Sequence, residues 1–224
     1  MDFFNNGHQS TNVICVGMTH DRPIQFLNAK MVSFGGFEMP VSYPKGIQSE
    51  YFSVRNDVAI FDVSHMGRFE VVGAEAGLLL HKLVTADVLA MPVGRARYTL
   101  ICNEYGGIID DTIVYRLEEE RFLLVPNASN ANEVLQWIYD WNHSWGLKAQ
   151  IHVLTLETAL IAVQGPKAEI MLQPLCSIDL SRVRPFRCAE GEISGARGIF
   201  CRTGYTGEDG FEIIIPGVVA PQTW

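Results

Sequence analysis

Two apolar runs, Tyr98 to Cys102 and Ile108 to Tyr115, flank the pentapeptide Asn103-Glu104-Tyr105-Gly106-Gly107. Asn and Gly tolerate the turn geometry that folds a chain back on itself, so the segment predicts an antiparallel hairpin. That hairpin limits the fold, because an all-parallel sheet joins its strands by crossover helices and has no place for a short return. Further strands are expected at Ala59 to Phe61, Phe122 to Val125, Leu160 to Val163 and Phe211 to Ile215, and at Gly67 to Val72, where Phe69 and Val71 alternate with Arg68 and Glu70. Phe34 to Pro40 reads as a strand end and turn. Helices are expected around Gln48 to Arg55 and over Glu75 to Val84, which has Leu79, Leu80 and Leu83 at helical spacing. Another is capped by Ser129 and buries Val134, Leu135, Ile138 and Trp141, and a last one opens at Pro166 and carries Ile170, Met171 and Leu175. No capped element is expected after Pro216. Hairpins among interleaved strands and helices give an α+β class rather than a doubly wound sheet.

A hydrophobic fraction of 48% over 224 residues is enough for a real core. The net charge of −8, with no Lys/Arg run, argues against a nucleic-acid partner, whose backbone needs clustered cations. The five cysteines are scattered and never spaced C-x-x-C, so neither a disulfide framework nor a zinc site is indicated. Residues 1–28 have mixed polar composition without period and read as a divergent arm, leaving 29–224 as one domain. That start has neither a signal core nor an Arg-rich amphipathic pattern, and no run reaches the length of a membrane helix. The expected location is the cytoplasm, or the mitochondrial matrix if a transit peptide precedes the chain in a eukaryote.

Two carboxylates interrupt the second hairpin strand, in Ile108-Ile109-Asp110-Asp111-Thr112-Ile113-Val114-Tyr115. Strand side chains alternate, so the pair cannot act as a dyad. Asp111 shares its face with Ile109, Ile113 and Tyr115 and is expected on the more apolar side, desolvated, with a raised pKa unless it meets a ligand. Capping of a neighbouring turn by one of the two is the plainer alternative. Glu212 lies between Phe211 and three isoleucines, after the loop Arg202 to Gly210. Buried, it would want two parallel N–H donors; on the wet face of an edge strand it would mean nothing. The glycines of that loop lack dinucleotide or Walker spacing, and a strand follows where a helix should. Asp62, Ser64 and His65 supply every triad residue type, but adjacent Ser64 and His65 face opposite ways, so local hydrogen bonding of a loop is the better account. Tyr98 and Tyr205 could stack on a planar ligand, though a tyrosine buried in a core is commoner.

Five segments together resemble the glycine cleavage T-protein (aminomethyltransferase) family. They are Met31-Val32 with Phe34 to Pro40; Phe61-Asp62-Val63-Ser64-His65-Met66-Gly67; Gly106 to Asp111; Ala162-Val163-Gln164-Gly165-Pro166; and Arg202 to Glu212, all in the family's order. The resemblance implies a folate-binding fold of small α+β units, one of them ferredoxin-like. It also implies that this copy is C-terminally truncated, lacking the Gly-Leu-Gly-Ala-Arg-Asp segment and the C-terminal β-barrel domain, and that the chain alone is inactive or impaired. By resemblance, the activity is transfer of the methylene carbon of aminomethyl-dihydrolipoyl H-protein to tetrahydrofolate with release of ammonia, a step of glycine catabolism and one-carbon metabolism. The partners implied are lipoylated H-protein and tetrahydrofolate, with no metal, nucleic acid or membrane. Carried over residue by residue, Asp111 lies beside the reacting folate nitrogens, Glu212 binds the pterin, Tyr98, Tyr205 and Met66 line the cavity, and Asn127 is a polar contact. A related folate-dependent demethylase and a non-catalytic folate-binding protein of the same fold are the alternatives.

Overall fold

The computed structural model describes residues 28–224, so the expected arm over 1–28 lies, but for its last residue, outside the described residues. The first described element is a hairpin, β1 (Lys30–Phe34) and β2 (Phe37–Ser42), turned by Gly35 and Gly36 at φ 57° and 85°, a turn that favours glycine. Helix α1 (Ile47–Asn56) leads to β3 (Ala59–Asp62) and β4 (Phe69–Val72), followed by α2 (Ala76–Leu83). Next come β5 (Arg95–Cys102), β6 (Ile108–Glu118), β7 (Arg121–Pro126), α3 (Ala131–Ser144) and β8 (Gln150–Val153). The rest is β9 (Thr158–Gln164), α4 (Ala168–Leu172), β10 (Cys188–Ile193), β11 (Ala196–Cys201), β12 (Gly210–Pro216) and α5 (Ala220–Thr223).

Besides the β1–β2 hairpin, the strands form two five-stranded antiparallel sheets, ordered β5-β6-β7-β4-β8 and β10-β11-β12-β9-β3. In the first sheet, β4-α2-β6-β7-α3-β8 is a βαββαβ unit with its strands in the ferredoxin-like order, and β5 is added at the edge.

Strand alternation builds the layers. From β7, Phe122 and Leu124 join Leu79, Leu80 and Leu83 of α2 and Val134 and Ile138 of α3 in one core, while Leu123 and Val125 point the other way. There they meet Leu160, Ile199 and Ile214 of the second sheet, so the sheets pack face to face. On the far side of the second sheet, Ile161, Phe200, Phe211, Ile213 and Ile215 pack with Ala168 and Leu172 of α4. Each large apolar side chain taken wholly out of water contributes roughly 1.5–3 kcal/mol, which explains why β7, β9 and β12 are apolar on both faces: they are central strands covered on both sides.

Several expectations are corrected. Strands β8, β10 and β11 were not anticipated, since Gln150-Ile151-His152-Val153 is short and half polar and β10 reads Cys-Ala-Glu-Gly-Glu-Ile. Asn130, not Ser129, is the residue before α3, and its side chain caps nothing; its amide goes to Asp110 instead. Ile170, Met171 and Leu175 are exposed, because α4 is only five residues long and yields to a 3-10 turn at Gln173–Leu175, where Pro174 intervenes; Ala168 and Leu172 are its buried positions. After Pro216, where no capped element is expected, the chain forms a 3-10 turn, Gly217–Val219, and the short α5, neither with a side-chain cap. Arg68, expected to alternate with the apolar residues of β4, is wholly buried.

Candidate active site

The hairpin β5–β6 and the loop after β11 bring the expected site residues together where the two sheets face each other. Asp111 alternates with Ile113 and Tyr115, which pack on the second sheet, so it projects from the same face. It lies at the open end of that face and is exposed, which overturns the expectation of a desolvated carboxylate. The buried member of the pair is Asp110, at 2% exposure. Its Oδ2 accepts from Asn127 N at 2.9 Å, and its Oδ1 accepts from Asn127 Nδ2 at 2.9 Å and Asn130 Nδ2 at 2.7 Å. Asp110 therefore caps the β7–α3 turn, the plainer alternative weighed for one of the pair. Three donors are what let a carboxylate sit in so dry a place.

Asn127 joins the two aspartates. Besides serving Asp110, its Nδ2 donates to the Asp111 carbonyl at 2.9 Å and to Asp111 Oδ1 at 3.0 Å. On the neighbouring strand, Tyr98 lies near Asp111 and Tyr205; desolvation and then the Asp111 charge raise its pKa. Neither Tyr98 nor Tyr205 is a core tyrosine: they are 59% and 99% exposed. Met66 packs against the same inter-sheet layer.

Glu212 faces this layer from β12, a central strand between β11 and β9, which removes the edge-strand reading. Its Oε2 accepts from Thr203 Oγ1 at 2.5 Å and from the Tyr115 hydroxyl at 3.3 Å. Burial pushes its pKa up, against the pull of those two hydroxyls. Both hydrogen bonds recorded among the described residues fall on Oε2, so Oε1 retains acceptor capacity.

The loop bearing Tyr205 is held from below. Gln164 is buried; its Nε2 donates to Thr203 O at 3.1 Å, and its Oε1 accepts from Thr206 Oγ1 at 2.9 Å. A Cβ on Gly204 would lie 2.0 Å from Gln164 Oε1, so only glycine lets the loop approach this amide. Arg55 binds Glu208 at 2.6 Å, and Arg202 binds Asp209 and Glu169. Gln164, Thr203 and Tyr115 were given no role from sequence. For Gln164 the available signal was a polar side chain ending an otherwise apolar strand inside one of the five segments.

No catalytic triad forms at Asp62, Ser64 and His65. Asp62 Oδ1 accepts from Ser64 N at 2.8 Å and Ser64 Oγ from Leu160 N at 3.0 Å, which fixes the loop as expected. The same loop is clasped by Arg68, which donates to the Ser64 and Met66 carbonyls, to Thr158 and to Thr155 O. His65 sits between Phe34 and Phe37, its pKa lowered by burial and by Arg68. Among the described residues no group of three or more His, Cys, Asp or Glu side chains could hold a metal ion, and no helix is long and apolar enough to cross a membrane.

Residues 20–224 match the family model described as GCVT N-terminal domain. The chain is 42% identical over 198 residues to an aminomethyltransferase of Thermotoga neapolitana, covering 88% of this chain and 54% of that protein. It is 44% identical over 196 residues to the aminomethyltransferase of Bacillus subtilis, covering 87% and 53%. The chain thus spans about half the length of the curated relatives it matches. Among solved structures it resembles the glycine cleavage system aminomethyltransferase T of Bartonella henselae, with TM-score 0.81 and 33% identity over 88% of this chain and 53% of that one. A heterotetrameric sarcosine oxidase of Corynebacterium shares the fold at TM-score 0.54 and 17% identity, over 74% of this chain and 79% of that one.

Proposed function

Because the chain belongs to the GCVT N-terminal domain family, we propose that residues 29–224 are the tetrahydrofolate-binding domain of an aminomethyltransferase of glycine cleavage. The reaction is transfer of the methylene carbon from an aminomethyl group on the dihydrolipoyl arm of H-protein to tetrahydrofolate, with release of ammonia. The observation that carries this reading is the meeting of Tyr98, Asp111, Asn127 and Tyr205 at the mouth of the inter-sheet face that also holds the half-buried carboxylate of Glu212.

The chemistry of these groups fits a flat, polar heterocycle. Glu212 keeps acceptor capacity on Oε1 for the N–H donors of a pterin, in a setting of low dielectric where a hydrogen bond to an ionised carboxylate is strong. Two exposed tyrosines offer faces for stacking, and Met66 an apolar wall. Asp111 Oδ1 accepts from Asn127, which orients its carboxylate, and Tyr98 feels its charge. It would orient the folate nitrogens and accept or return a proton as the new carbon–nitrogen bond forms, while the apolar walls limit hydrolysis of the transferred carbon. The cytoplasm is the compartment we assign, and lipoylated H-protein the donor.

Replacing Asp111 with Asn tests the role. With aminomethylated H-protein as donor, Asp111→Asn is expected to lower kcat at least about a hundredfold, the low end of general acid–base contributions, with little change in tetrahydrofolate affinity. An Asn variant that turns over like the wild type would remove Asp111 from the chemistry.

A further inference from the structure

The hairpin β10–β11 carries a feature outside the proposed chemistry. Its turn is Ser194-Gly195, both at positive φ (52° and 76°), the two-residue return whose closing pair, here Ile193 and Ala196, is hydrogen-bonded. Hydrogen-bonded and non-hydrogen-bonded pairs alternate outward from there, so Cys188 and Cys201, which are register partners, form a non-hydrogen-bonded pair. The backbone agrees. Cys188 N–H donates to Gly94 O at 2.9 Å, away from β11, and in the next pair Arg202 N–H donates to Arg187 O at 2.9 Å. At non-hydrogen-bonded positions facing Cα atoms are about 4.5 Å apart and the side chains lean together, within the roughly 4.4–6.8 Å that a disulfide spans. Both side chains pack in the inter-sheet core, 8% and 0% exposed, close enough that each thiol shifts the pKa of the other. Among the described residues Cys102 and Cys176 have no such partner: Cys102 faces Ile108, and the Cys176 thiol is directed at backbone carbonyls.

We propose that Cys188 and Cys201 form a reversible thiol–disulfide site, closed across the β10–β11 hairpin by exchange with a small-molecule disulfide. Cys188 opens the exchange. It is the first residue of β10, the outer strand of its sheet, and is 8% exposed against 0% for Cys201, so local opening that breaks its bond to Gly94 O reaches it before Cys201. The neighbouring Cys201 thiol also lowers its pKa, whereas burial holds that of Cys201 high. The Cys188 thiolate attacks one sulfur of the small disulfide, forming a mixed disulfide and releasing one thiol. Cys201 then loses its proton and displaces the second thiol, so two protein thiols are oxidised and one small disulfide is reduced to two thiols. The closed bond would sit beside the candidate site, because Cys201 is the register partner of Glu212 and contacts the Tyr115 hydroxyl that donates to it.

The chemistry is independent of the folate reading and is tested without it. The folded, reduced protein is equilibrated with oxidised glutathione, free thiols are blocked, and the non-reduced digest is mapped by mass spectrometry. The expected result is one intramolecular cross-link joining the peptides of Cys188 and Cys201, a loss of the mass of two hydrogens that dithiothreitol reverses. The cross-link should be absent in Cys188→Ala and in Cys201→Ala, each of which should leave the remaining cysteine without a closing partner. The proposal is overturned if Cys188 and Cys201 stay free or carry only glutathione, or if they pair only after denaturant is added.

Discussion

Arg68 is the largest of the fully buried side chains, and its guanidinium is spent on backbone and hydroxyl oxygens rather than on a solvent-facing ion pair. Burial brings its pKa down to about 10, with Asp62 opposing the shift, so it stays charged near neutrality. Replacing Arg68 with Met would leave the carbonyls of Ser64, Met66 and Thr158 without their donor in a dry interior, at a cost of about 3–5 kcal/mol, the range for breaking a buried charged network from one side; urea unfolding measures it. Glu212 makes a second residue-scale prediction. Its folded pKa is raised by burial, so its contribution to stability is fully present below the ordinary Glu pKa and is lost as pH rises through the folded value. Ligand binding should run the opposite way, since a pterin's donors need the ionised form. Tetrahydrofolate affinity should fall as pH drops through the raised pKa, and Glu212→Gln should flatten that dependence when titrations are repeated across pH. Sequence alone marked Glu212 by its isoleucine neighbours, and the resemblance gave it a role. It could not give the Tyr115 hydroxyl, which comes from the other sheet, or the Thr203 hydroxyl, which reaches Glu212 only through the path of the intervening loop.

At the scale of elements, the junction after β9 is the tightest approach of a described glycine to neighbouring backbone. Gly165 has φ 133°, and a Cβ there would lie 2.3 Å from Asp57 O and 2.9 Å from Val54 O, against the end of α1. Gly165→Ala combines backbone strain with overpacking and should cost about 2–4 kcal/mol, read as a drop in thermal midpoint. A change smaller than 1 kcal/mol would mean that α1 can withdraw from the strand end. The elements that sequence made legible are those with a clear period: the β5–β6 hairpin, β7, β9, β12 and the amphipathic α2 and α3. Strands β10 and β11 escaped because an edge hairpin that keeps one face wet need not be apolar, and Glu190, Gly191 and Glu192 read as a loop. The assignment of the more desolvated aspartate failed for a different reason. Alternation carried Asp111 to the face of Ile113 and Tyr115, but Ile109 packs with the α2–α3 core beyond an irregularity in the β5–β6 register, and Asp111 itself is exposed.

Over the whole molecule, neither sheet holds the candidate site alone. Tyr98, Asp111 and Asn127 come with the ferredoxin-like sheet, and Tyr205 and Glu212 with the second. The α+β class could be read from hairpins and interleaved helices. The face-to-face packing of two sheets could not, because residues such as Leu123 and Ile214 announce only that both faces of their strands are buried. The most direct measurement is therefore isothermal titration of the protein with tetrahydrofolate, alongside Glu212→Ala from one sheet and Tyr98→Ala from the other. The account predicts one site in the wild type and a dissociation constant at least about tenfold weaker in each variant, the equivalent of roughly 1.4 kcal/mol. No binding to the wild type, or constants unchanged in both variants, would contradict it.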